Sequence, residues 1–223
     1  MALILNIETA STNCSVALAK QGKTIALKED NDTSYSHSER LHVYIDEVLK
    51  QTEFNLKDLD AIAVSKGPGS YTGLRIGVSA AKGLCYSLDK PLISVLTLQS
   101  LARQVNPKSG YIVPMLDARR KEVYSAVYNF KYELVRNTEA LVLDNYSFQD
   151  LLINDEVCFI GSGVEKTKEL IQHKNAIFIQ DKLPSANEMN VLSFDKYRSG
   201  ELEDVAYFEP YYLKDFVAIK PKN

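Results

Sequence analysis

The sequence predicts an α/β protein built from mixed sheets with helices packed against them. Three observations support this. The first 30 residues carry short apolar runs separated by turns, as in β-hairpins. Strands then alternate with stretches of helical period. After a central breaker cluster, the opening pattern of strand, acid, turn and strand starts again.

Residues 2–7 form a nearly continuous apolar run rich in β-formers, which predicts a buried strand. Residues 8–13 are turn-type, 14–19 form a second strand, and Gln21-Gly22 turns the chain into a third over 23–29. The period changes over His37–Lys50, where Leu41, Tyr44, Ile45, Val48 and Leu49 recur at three- and four-residue spacing and mark an amphipathic helix. Ser36 or Ser38 is its expected N-cap. A strand at 59–65, a glycine-rich turn, a helix reaching about residue 88, a strand at Leu92–Leu96 and a helix from Thr97 follow. Hairpins followed by alternation predict a mixed sheet.

Asn106-Pro107-Lys108-Ser109-Gly110 is a breaker cluster and divides the chain into lobes 1–106 and 107–223. Beyond it come a strand at 111–116 ending in Asp117, a polar turn, and strands at 123–130 and 133–143. The rest is sparser. It offers Val157–Ile160, a Gly161-Ser162-Gly163 turn, a helix to about 173, another near 185–198, and a tail through Pro210. The expectation is a duplicated fold with a reduced second lobe.

A chain of 223 residues can bury a sizeable core, and 45% apolar with 25% charged residues is ordinary for a globular protein. Net charge is −3 with signs interspersed, which argues against a nucleic-acid binder acting alone. Cys14, Cys85 and Cys158 are far apart with no CxxC spacing, the pattern of reduced, buried thiols. The N-terminus lacks a basic region before its apolar run, and no apolar stretch approaches the ~18–20 residues of a membrane helix. A cytoplasmic protein with no membrane contact is expected.

The strongest local motif is Lys66-Gly-Pro-Gly-Ser-Tyr-Thr-Gly-Leu-Arg-Ile-Gly77, which follows a strand and opens a helix. That context suits a phosphate cradle, although position 72 is Thr where a dinucleotide fingerprint needs glycine and no P-loop Gly-Lys-Ser/Thr is present. The other reading is close helix packing, because Gly69, Gly73, Gly77 and Ala81 share one face. The partner is either another part of this chain or a second subunit. Glu8-Thr9-Ala10-Ser11-Thr12 places an acid and small hydroxyls where actin-like ATPases and sugar kinases hold phosphate and metal, and it also reads as an ordinary hairpin turn. His37 and His42 are five apart and diverge on a helix, and His173 is isolated, so no metal site is expected. No Ser/His/Asp or Cys/His arrangement is apparent. Arg119-Arg120-Lys121 is a small basic cluster flanked by Asp117 and Glu122, with a solvated hairpin tip as its default reading.

Several of these segments together resemble the TsaB (YeaZ) family. They are residues 8–18, His37-Ser-Glu39, 67–77, Ala81-Lys-Gly-Leu84, 116–124 and Pro210-Tyr-Tyr-Leu213. The likeness is nearly continuous through the first half and thins beyond about residue 130. It implies an actin-like (ASKHA) two-lobed fold and no catalysis by this chain. It implies a role as scaffold for a TsaD-like enzyme that puts threonylcarbamoyladenosine on tRNA, with a TsaE-like ATPase as further partner. tRNA would be met only through that complex, and a lone chain would pair with a second copy of itself. No resident cofactor or metal is implied, though a nucleotide could lodge at the partner interface. Glu8, Thr9, Ser11 and Thr12 would be a vestigial phosphate loop. The helices at His37–Lys50 and 71–88 would form the interface, assigned on helical geometry to Gly69, Gly73, Leu74, Gly77, Val78, Ala81, Cys85, Leu41 and Ile45. Glu8 stands where the family more usually has Asp, and His42 where an apolar residue is commoner. The competing reading is an actin-like ATPase or kinase using Glu8, Thr9, Ser11 and Asp117, which needs two complete lobes closing on a nucleotide.

Overall fold

The computed structural model describes residues 2–31 and 37–214, so Ser36, one of the two expected helix caps, lies outside the described residues. The first half forms a five-stranded sheet ordered β3-β2-β1-β4-β5. Its strands are β1 (Leu3–Glu8), β2 (Asn13–Lys20), β3 (Lys23–Asn31), β4 (Ala61–Gly67) and β5 (Leu92–Leu96). Strand β1 pairs antiparallel with β2 and parallel with β4. Alternate residues of β1 serve opposite faces. Leu3, Leu5 and Ile7 meet α1 (His37–Lys50) and α2 (Tyr71–Leu88), while Ala2 and Ile4 pack on the far side. With both faces covered, the strand reads as a continuous apolar run.

The second half repeats this wiring. Its sheet runs β10-β9-β6-β7-β8, with β6 (Tyr111–Asp117) central, β7 (Glu122–Asn129) and β8 (Leu134–Val142) antiparallel, and β9 (Val157–Ile160) and β10 (Ala176–Ile179) parallel. Each strand of the first sheet therefore has a counterpart. The architecture is the actin-like duplicated fold, and the reduction of the second lobe falls on its helices. Where α1 and α2 have 14 and 18 residues, α4 (Gln149–Leu152) and α5 (Val164–Leu170) have 4 and 7. A one-turn helix and a four-residue edge strand carry too few residues to set up a period, so α4 and β10 left no mark in the sequence reading.

The halves are also laced together. Helix α3 (Thr97–Ala102), from the first half, lays Leu98, Leu101 and Ala102 on Ile112, Leu116 and Tyr128 of the second sheet. Helix α6 (Ala186–Ser199), from the second half, seats Ala186, Met189 and Leu192 on Ile4, Ala63 and Ile93 of the first. A polar clasp starts α6. Ser185 caps it through Asn187 N and donates to Glu29 Oε2 at 2.6 Å, while Asn13 Nδ2 donates to Pro184 O at 2.9 Å. Past α6 the chain crosses back over α2. Phe208 enters the first core, Lys82 Nζ donates to the carbonyls of Ala206 and Phe208, and the ring of Tyr212 lies 4.8 Å from that of Tyr71.

Candidate functional site

The two sequence motifs meet in space. Strand β1 delivers Glu8 to its C-terminal end, and β4 delivers the Lys66–Ser70 turn beside it. Ser70 caps α2 through Gly73 N and donates its own N–H to Ala10 O at 2.7 Å. Thr9 Oγ1 donates to Gly73 O at 2.8 Å, and the ring Nε2 of His37, at the start of α1, lies 2.7 Å from Ser11 O.

The glycine face of α2 therefore receives the β1–β2 turn of the same chain. A Cβ on Gly69 would lie 2.4 Å from Ala10 O, one on Gly73 2.1 Å from Thr9 O, and one on Gly77 2.2 Å from Thr9 Oγ1. These glycines are among the residues assigned above to an interface. Gly73, Leu74, Gly77, Val78, Ala81 and Cys85, with Leu41 and Ile45 of α1, are the buried faces of their helices, and Gly69 is half-buried against Ala10. The small residues serve close packing, and within this chain what they pack against is Thr9-Ala10.

Glu8, at the end of β1, is fully buried. Its Oε1 accepts from Ala10 N at 2.6 Å, and Oε2 has no hydrogen-bond partner. Burial pushes its carboxyl up to about 7, against smaller opposing contributions from Ala10, Ser65 and Thr9. An acid held this way has no open path to a phosphate or a metal ion. Ser11 and Thr12 are half-buried and already engaged, since Ser11 Oγ accepts from Asn13 N and Thr12 Oγ1 donates to Asn31 Oδ1. Asp117 is the counterpart acid at the end of β6, but it is exposed and paired with Lys166 at 2.7 Å. The four residues of the ATPase reading thus divide between a sealed turn and an ion pair on the other lobe. Among the described residues, no group of three or more His, Cys, Asp or Glu side chains is placed to hold a metal.

The family model described as "TsaD: tRNA N6-adenosine threonylcarbamoyltransferase" matches residues 30–222. The tRNA threonylcarbamoyladenosine biosynthesis protein TsaB of Escherichia coli (strain K12) is 30% identical over 225 residues, covering 97% of this chain and 96% of that protein. The chain belongs to the TsaB family. The TsaB of Bacillus subtilis (strain 168) is 34% identical over 76% of this chain and 75% of its own length. The solved structure of YeaZ from Pseudomonas aeruginosa matches with a TM-score of 0.83 at 25% identity, covering 96% of this chain and all of that one.

Another Pseudomonas aeruginosa structure, with a TM-score of 0.86 and 25% identity over 96% of this chain and 100% of its own, is described as similar to "peptidase YEAZ". In the present TsaB-family chain all three cysteines are buried, and burial pushes Cys14 up to about 11 and Cys85 to about 12. Neither offers a thiolate at neutral pH. Helix-face reasoning missed the outward side of the same two helices. Val43 of α1 is 50% exposed and Tyr86 of α2 is 87% exposed, and a Cβ on Gly83 would meet nothing within 4 Å. The signal was available. Val43 lies opposite the Leu41/Ile45 stripe and Tyr86 opposite the Gly77/Ala81 stripe, on the side that helical period turns to the surface.

Proposed function

We propose that this chain serves threonylcarbamoyladenosine biosynthesis on tRNA as a scaffold subunit without chemistry of its own, holding a TsaD-like enzyme in its active form. The observation that carries this reading is the full burial of Glu8, with Thr9 and Ala10 packed against the glycine face of α2. The names of the relatives supply the pathway. A TsaE-like ATPase is the second partner, a second copy of the chain occupies the same face when the enzyme is absent, and tRNA is reached through the complex. Work on tRNA puts the protein in the cytoplasm. We place any nucleotide at the partner interface and not on the β1–β2 turn.

The docking face is the outward side of α1 and α2, where Val43 is exposed on α1 and Tyr86 is exposed on α2 along with Ser79 and Gly83. Small residues beside an aromatic let another helix come close while the ring supplies buried area. Affinity capture with the tagged chain from its own cell lysate tests this. Wild type is expected to retain a TsaD-like protein, and a folded Val43→Asp/Tyr86→Asp variant is expected to lose it. Undiminished capture by the variant would move the interface elsewhere. ATP hydrolysis by the purified chain alone would overturn the scaffold reading.

A further inference from the structure

The duplication puts the same turn in both halves, and the two copies have opposite fates. In the first half the turn after the central strand is buried under α2. In the second half the equivalent turn, Ala118–Lys121, lies beside the two-turn helix α5, and Arg119, Arg120 and Lys121 are all exposed. Their side chains make no ion pair or hydrogen bond among the described residues.

The base of the tip is nevertheless held by several bonds. Arg119 and Arg120 sit at φ of 70° and 49°, a region that L-residues other than Asn and Asp visit at a cost of roughly 1–2 kcal/mol each. Arg119 N donates to Asp117 Oδ1 at 2.6 Å, and Ala118 N and Glu122 O close the hairpin at 3.0 Å. Lys166 Nζ, from α5, donates to Asp117 Oδ1, to Arg120 O at 2.8 Å and to Glu122 O at 3.2 Å, fastening both sides of the turn. Lys214 closes on Glu122 from the C-terminal strap. The two acids flanking the tip are thereby neutralised by cations that are themselves tied down. The three outer cations are left without counter-charge, in a chain whose net charge is −3.

We propose that this hairpin tip is a contact for the phosphate backbone of RNA, and that in the assembled complex it touches the tRNA. The proposal rests on the tRNA-modifying reading given above. Guanidinium groups match phosphate oxygens in a two-pronged geometry, and a backbone fixed from three sides spares part of the ordering cost of binding. Backbone contacts of this kind position a nucleic acid without reading its sequence. Three charges on one turn are too few for a binder acting alone. That agrees with the overall acidity of the chain and makes the site an auxiliary to a larger composite surface.

The test is binding of a transcribed tRNA to the complex of this chain with the TsaD-like protein of the same cell, measured over a range of salt concentrations. The informative variant is R119N/R120G. It removes both guanidiniums while substituting residues that accept positive φ more readily than arginine, so the hairpin is kept or stabilised. R119K/R120K keeps the charges as a control. The expected result for R119N/R120G is an affinity lower by about tenfold near 0.1 M salt, with the slope of log K against log salt shallower by about one to two. R119K/R120K is expected to hold the wild-type slope. Unchanged affinity and slope in R119N/R120G would overturn the proposal. So would a variant that loses the TsaD-like protein but not tRNA once assembly is forced, because the tip would then be a protein contact. A wild-type complex that binds no tRNA would overturn the tRNA-modifying reading itself, and this contact with it.

Discussion

The carbonyl oxygen of Thr9 faces Gly73 so closely that a Cβ on that glycine would lie 2.1 Å from it. Two motifs 64 residues apart, linked also by the Thr9 Oγ1–Gly73 O hydrogen bond, are one packing unit. Gly73→Ala must push either the β1–β2 turn or α2 out of place, and it is expected to destabilise the fold by about 1–3 kcal/mol or more. Gly83→Ala on the outer side of the same helix meets nothing and is expected to stabilise by up to ~1 kcal/mol through helix propensity alone. Chemical denaturation midpoints of the two variants check both signs.

Glu8 gives the chain a specific pH dependence. Its carboxyl is raised to about 7 in the fold against 4.5 unfolded, chiefly by burial. Between those values the folded state holds a proton that the unfolded state has released, so stability falls as pH rises. The contribution of the neutral acid is fully present below 4.5 and lost by the time pH passes about 7. The difference amounts to roughly 3 kcal/mol across the window. Glu8→Gln is expected to abolish that slope, leaving the variant more stable than wild type at pH 8 relative to their difference at pH 4.5. Paired denaturation curves at the two pH values measure it.

Ser185 ties the second half of the chain to the first sheet. Its hydroxyl both caps α6 and donates to Glu29, so Ser185→Ala is expected to cost about 1–2 kcal/mol. Because α6 covers the Ile4–Ala63–Ile93 face, the loss should appear as lower stability of the whole chain in a single transition, and not as separate melting of a second lobe. Thermal unfolding followed by two probes distinguishes the cases.

Much of this architecture was legible because local pattern and tertiary role coincide. Helix α1 was read with the bounds His37–Lys50 because Leu41, Tyr44, Ile45, Val48 and Leu49 all point to one core. The restart at Tyr111 was legible because β6 repeats both the apolar run and the terminal acid of β1. The second half looked reduced because β10 is a half-exposed edge of four residues and α4 a single turn. Neither is long enough to show a period; β10 is held by pairing with β9, and α4 by Leu151 and Leu152 in the second core. The function of the glycine stripe was harder to read. Spacing reveals that something approaches α2 closely, but only the β1–β4 pairing, which sets Thr9 above Gly73, reveals what approaches. The exchange of α3 and α6 between sheets left no local signal, since an amphipathic helix does not encode which sheet it covers.

In the scaffold reading the buried acid does no chemistry. The most direct measurement is threonylcarbamoyl transfer to tRNA by the complex of this chain with its TsaD-like and TsaE-like partners, comparing wild type with Glu8→Gln. A sealed, vestigial carboxyl predicts a rate within about twofold of wild type, with the complex intact. Loss of a positioned acid or base costs on the order of 100-fold or more. A drop of that size in a complex that still assembles would contradict the scaffold account and make Glu8 a catalytic residue.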